Sequence, residues 1–112
     1  MKLITAIVKP DKADELIGAA IREGVCGVTA TDVRGFGRQY GQLTYGQPDD
    51  TKVALLAKIR LDIVVLDDDA EAVAATIAKH ARTGVIGDGK IWITTVDSAI
   101  RVRTGERDRD AL

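Results

Sequence analysis

Apolar residues come first as a block. Leu3–Val8 reads LITAIV, a β-rich run closed by Pro10, and it predicts a strand. Past the proline the pattern changes period. Asp11, Asp14 and Glu15 supply a helix start, and Leu16, Ile17, Ala20 and Ile21 fall on one helical face. Gly24 and Gly27 mark the exit, after which Val28, Ala30 and Val33 predict a second strand. Lys58–Leu66, KIRLDIVVL, sets Ile59, Leu61 and Ile63 on one face and then turns wholly apolar, as a central strand does. A second helix follows. Asp68 and Glu71 are spaced as a capping box, Ala70, Val73, Ala74 and Ile77 form its stripe, and Gly84 is its stop. KIWITTV, Lys90–Val96, is a fourth strand, and AIRVRT, Ala99–Thr104, a short fifth before a charged tail. Strand, helix, two strands, helix, strand predicts an α+β, ferredoxin-like βαββαβ sandwich with both helices on one sheet face.

Residues 37–55, GRQYGQLTYGQPDDTKVAL from Gly37, have little periodicity. Structureless connections above about 12 to 15 residues are uncommon in compact domains and are usually binding loops or lids. The alternative is a long hairpin extending strands two and three, its tip near Gly46–Asp49.

Composition narrows the class. A chain of 112 residues, 46% hydrophobic and 29% charged, is the size of one domain, here residues 1–112. A net charge of −1 gives no electrostatic reason to expect nucleic acid. The opening run is too short for a membrane helix and has no signal-peptide cleavage site, and one cysteine cannot make an intrachain disulfide, so a cytoplasmic protein is expected. Cys26 is expected as a small buried hydrophobe.

The chemistry clusters late in the chain. GVIGDGK, Gly84–Lys90, is not a P-loop, since Ile91 and a strand follow the lysine. Its glycines would still let backbone N–H groups approach an anion beside Lys90, although Gly-Asp-Gly is also ordinary turn chemistry. Strand alternation puts Arg101 and Arg103 on one face, either a solvated edge or, with Lys90, three cations able to neutralise much of a triphosphate. GFGRQYG, Gly35–Gly41, spaces its glycines wrongly for a dinucleotide fingerprint. His80 suits a helix C-terminus and Trp92 a core or interface. The chain has no asparagine, which removes the Arg plus Asn site that acylphosphatases place on this fold.

KLITAIVKP, GFGRQ before a long loop, TGVIGDGKIW and AIRVRTGE together resemble the PII nitrogen-regulatory signal-transduction proteins over nearly the whole chain. The resemblance implies a homotrimer that binds ATP or ADP in clefts between neighbours. Within the phosphate-contacting loop 83–90, Gly87, Asp88, Gly89 and Lys90 would wrap the phosphates. Arg101 and Arg103, in the C-terminal segment 101–112, would add charge, Arg38 and Thr29 would complete the site, and Gly35, Gly37 and the backbone near Val64 would line it. It further implies 2-oxoglutarate bound with Mg-ATP at the base of the T-loop, residues 37–55. There Gln39 would join the Mg²⁺ shell, Lys58 would pair with a ligand carboxylate, and the backbone of Gly37 to Gly41 would donate. The output would be control of a transporter or enzyme through the T-loop, with membranes met only through such a partner.

The loop tip departs from the family. Thr51 stands where many members carry a modified tyrosine, leaving Tyr45 as a fallback modification site. Gln47 replaces a channel-plugging arginine, and Asp49 and Asp50 make the tip acidic. A divergent member reading another small metabolite fits these departures. Two rival classes are a slow ATPase using the three cations and an RNA-recognition module, the latter lacking the aromatic strand motif and basic surface it needs.

Overall fold

The computed structural model describes residues 1–37 and 55–112. Strands β1 (Lys2–Val8), β2 (Thr29–Gly35), β3 (Leu56–Val65) and β4 (Gly89–Thr95) form one antiparallel sheet in the order β2-β3-β1-β4. Helix α1 (Ala13–Arg22) joins β1 to β2, and α2 (Ala70–Ala81) joins β3 to β4. Each helix thus crosses between parallel strands with one strand inserted between them, the split βαβ arrangement of the ferredoxin-like fold.

Register decides which side chains meet the helices. Ile4 lies opposite Ile63 and Ile93, and Ala6 opposite Leu61 and Ile91. This face packs on Leu16 and Ala20 of α1 and on Ala70, Val73, Ile77 and Ala81 of α2. Alternation sends Leu3, Thr5, Ile7, Lys58, Arg60, Asp62, Val64, Lys90 and Trp92 to the opposite face, against which neither helix packs. Trp92 is 40% exposed there, on a surface and not in the core.

Several element boundaries differ from expectation. Pro10 opens a 3-10 turn, Pro10–Lys12, so α1 begins at Ala13. Its buried stripe is Leu16, Ala19 and Ala20, while Ile21 is 60% exposed. Asp67–Asp69 likewise forms a 3-10 turn, and no capping box forms, because Asp69 at the cap makes no side-chain cap bond. The neighbouring Asp67 pairs with the Met1 ammonium at 2.8 Å, which holds its carboxyl below the usual range. Helix α2 ends at Ala81, three residues before Gly84. Cys26 is exposed, contrary to the expected burial.

The expected fifth strand is a single bridge, Ile100 to Arg107. Gly105 N–H donates to the Arg101 carbonyl and Arg101 N–H to the Glu106 carbonyl, both at 2.8 Å, and Gly105 takes the positive φ of 75° that this turn requires. Arg101 and Arg103 therefore sit on a turn and not on one strand face, with Val102 between them 98% exposed.

Candidate functional site

The loop from α2 to β4 is built around Asp88. Its carboxylate accepts from Thr83 N (2.7 Å), Gly84 N (2.9 Å) and the Thr83 hydroxyl, and it pairs with Lys9 Nζ at 3.1 Å. Led by the Thr83 hydroxyl bond, these contacts hold its carboxyl far below the usual aspartate range. Asp88 is therefore an organiser of the loop, its oxygens turned inward on residues 83 and 84. Gly84 and Gly87 take φ values of 84° and 102°, and Gly89 takes 107°. A Cβ on Gly89 would lie 1.7 Å from the Ile7 carbonyl oxygen, so only glycine allows β4 to start against β1 here.

Lys58 ties this loop to the sheet. It is 8% exposed, and its Nζ donates to the Gly87 carbonyl at 2.7 Å. Among the described residues it has no carboxylate partner. A cleft of about 450 Å³ opens here, lined by Gly35, Gly37, Lys58, Gly87, Gly89 and Lys90, with Ile7, Phe36 and Ile86 as its apolar wall.

Thr29, Val64 and Arg101 lie elsewhere. They line a second cleft of about 760 Å³ together with Asp62, Cys26, Arg109 and Leu112. Burial works to raise the Asp62 carboxyl, but bonds from Arg60 Nε (2.9 Å) and the Thr5 hydroxyl (2.8 Å) outweigh it and hold the group below its ordinary value. No described residue lines both clefts. On β3, Lys58 of the first cleft is four positions from Asp62 and six from Val64 of the second, about 13 and 20 Å at strand rise. Arg103 lines neither and is exposed on the turn. Arg38, Gln39, Gly41 and Tyr45 lie outside the described residues, as does most of the expected T-loop.

A family model described as nitrogen regulatory protein P-II matches residues 1–106. The chain belongs to the P-II family. It is 44% identical to the nitrogen regulatory protein P-II of Synechocystis sp. over all of both chains. It is 46% identical to P-II 2 of Methanothermobacter thermautotrophicus, over all of this chain and 97% of that one. Among solved structures, Arabidopsis thaliana PII bound to citrate superposes with a TM-score of 0.81 at 39% identity, covering 99% of this chain and 91% of that chain. The P-II chain described here is thus a member of a nitrogen-regulatory signal-transduction family.

Sequence reasoning missed the apolar wall of Ile7, Phe36 and Ile86 and the polar pair Asp62 and Arg109. Strand alternation does put Ile7 on the same face as Lys58 and Lys90, and that signal was available in the sequence. The positions of Ile86 and Arg109 depend on turns whose path is set by tertiary contacts.

Proposed function

We propose that this P-II protein is a non-catalytic homotrimeric sensor that takes ATP or ADP between neighbouring subunits and 2-oxoglutarate alongside Mg-ATP. The observation that carries this is the division of the expected nucleotide residues into two separate clefts on one chain, whose β3 residues Lys58 and Asp62 are about 13 Å apart at strand rise. Neither half is a site by itself. The Gly87–Lys90 cleft offers backbone and the ammoniums of Lys58 and Lys90; the other offers Thr29, the Val64 backbone and Arg101. Packing the exposed sheet faces of several copies together would set one subunit's first half against its neighbour's second and gather Lys90, Arg101 and Arg103 around one triphosphate.

The 2-oxoglutarate assignment rests on Lys58. A buried ammonium whose described partner is one carbonyl is costly to maintain and well suited to a ligand carboxylate. Among the described residues no three His, Cys, Asp or Glu side chains gather to hold a metal, so Mg²⁺ would take most of its ligands from the triphosphate, with Gln39 as the side-chain ligand. A dianion beside a triphosphate is repelled unless a divalent cation bridges them, which makes the second ligand conditional on Mg-ATP. Residues 37–55 would carry the result to a transporter or enzyme in the cytoplasm, ATP with 2-oxoglutarate favouring one arrangement and ADP another.

Titration calorimetry with ATP, ADP, Mg²⁺ and 2-oxoglutarate on wild type and Lys58→Ala tests this. Wild type should bind both nucleotides, and 2-oxoglutarate only with Mg-ATP. Lys58→Ala should lose 2-oxoglutarate, and should weaken nucleotide only as far as losing its bond to the Gly87 carbonyl loosens the loop. No heat with either nucleotide would reject the proposal. A second reading keeps the nucleotide but replaces 2-oxoglutarate with another polycarboxylate. It is favoured by the relative whose structure is described as bound to citrate, and citrate heat absent in Lys58→Ala would support it.

A further inference from the structure

The chain after β4 closes back over its own arginine. Arg101 Nη1 donates to Glu106 Oε1 at 3.0 Å, and Nη2 donates to the Leu112 carbonyl at 3.0 Å. Backbone bonds fix the closure, Arg101 N to Glu106 O and Gly105 N to Arg101 O, both 2.8 Å. The segment that supplies these acceptors lines the same cleft as Thr29 and Val64. Arg101 lines that cleft and Glu106 does not, so a carboxylate beside the cleft holds the guanidinium that a ligand phosphate would use.

Resting on the nucleotide reading above, we propose that Glu106 is a specificity-determining residue, a built-in carboxylate that competes with phosphate oxygens for Arg101. The guanidinium fork suits a carboxylate and a phosphate equally, so the two are alternatives for the same donors. The Arg101–Glu106 pair is part-exposed and hence weak enough for a ligand to displace. What displaces it must bring charge. A triphosphate gains the freed guanidinium and outweighs repulsion from the released carboxylate, whereas a ligand whose phosphates stop short of Arg101 gains nothing. Arg109 lines this cleft too and has no ion-pair partner among the described residues.

The test is titration of the full chain with ATP, ADP, AMP and adenosine, comparing wild type, Glu106→Gln and Glu106→Asp. Glu106→Gln should tighten ATP by about 2- to 5-fold, the range of an exposed ion pair, tighten ADP less, and leave AMP and adenosine unchanged. Glu106→Asp, which restores the carboxylate, should return ATP affinity toward wild type. Weaker or unchanged ATP binding in Glu106→Gln would overturn the proposal, as would equal tightening of all four ligands. Should the variants fold poorly, hydrogen exchange on the unmodified chain decides. Exchange over residues 105–112 should speed up with ATP and not with adenosine, and slower exchange with ATP would overturn the proposal. A wild type that binds none of the four sinks the nucleotide reading itself, while a wild type that binds ATP no more weakly than Glu106→Gln sinks only the role of Glu106.

Discussion

Asp88 shows how one side chain can brace a loop through several contacts at once. Its carboxyl is held below the unfolded value by the Thr83 hydroxyl first, then by the Thr83 and Gly84 amides and Lys9. A depressed folded pKa means its contribution to stability is complete above the ordinary aspartate value, about pH 4, and disappears as the pH falls through the lower folded value. Asp88→Asn should therefore lower the melting temperature at neutral pH, and the gap from wild type should shrink in scans below about pH 4. A gap that is constant with pH would mean that shape, and not charge, holds the loop. Gly89 is more stringent than the sequence could show. Gly89→Ala should cost about 2–4 kcal/mol or prevent folding, because its Cβ meets the Ile7 carbonyl and its φ is 107°. Gly-Asp-Gly was legible as either a tight turn or an anion cradle, and the described contacts show how it is both open to solvent and internally braced by Asp88.

At the scale of elements, periodicity read the core faces of α2 and β3 correctly but put Ile21 of α1 on the buried stripe, where Ala19 lies instead. The helix stripe through Ala70, Val73 and Ile77 and the strand alternation through Leu61 and Ile63 are the two periods of the core, and both were readable. Ile77 is fully buried, so Ile77→Ala should cost about 2–5 kcal/mol in urea denaturation at fixed protein concentration. Failure came where local pattern and long-range contact disagree. IRVR alternates like a strand, but the Gly105 turn and the Arg101–Glu106 contacts fold it into a loop, and no periodicity encodes that. Asp68 and Glu71 had the spacing of a capping box, but the 3-10 turn at Asp67–Asp69 puts Asp69 at the cap without a side-chain bond. His80 was placed correctly near a helix end, and its role is local: Nδ1 lies 3.1 Å from Glu15 Oε1, joining α2 to α1.

For the whole molecule, the sheet face away from the helices is the decisive feature. It carries Trp92, Val64 and Leu3 with the Thr5–Asp62–Arg60 network, and its residues Lys58, Lys90, Asp62 and Val64 border the two clefts. The sequence could supply the residues of the site but not their partition, because spacing along a strand becomes distance only once register is known. The residues of 37–55 that the sequence marked as a loop with an acidic tip, Asp49 and Asp50, lie almost wholly outside the described residues. Light scattering should return a trimer, and nucleotide should raise its melting temperature.

The central claim is that each complete cleft takes one half from each of two subunits. It is tested most directly by mixing subunits that carry Lys90→Ala with subunits that carry Arg101→Ala, unfolding and refolding them together, and titrating with ATP. Each variant alone should bind ATP weakly, and the mixed assembly should regain wild-type affinity at a fraction of its clefts, where an intact half faces an intact half. Mixed assemblies that form but regain no tight binding would contradict the claim, and so would full-affinity binding by a monomer.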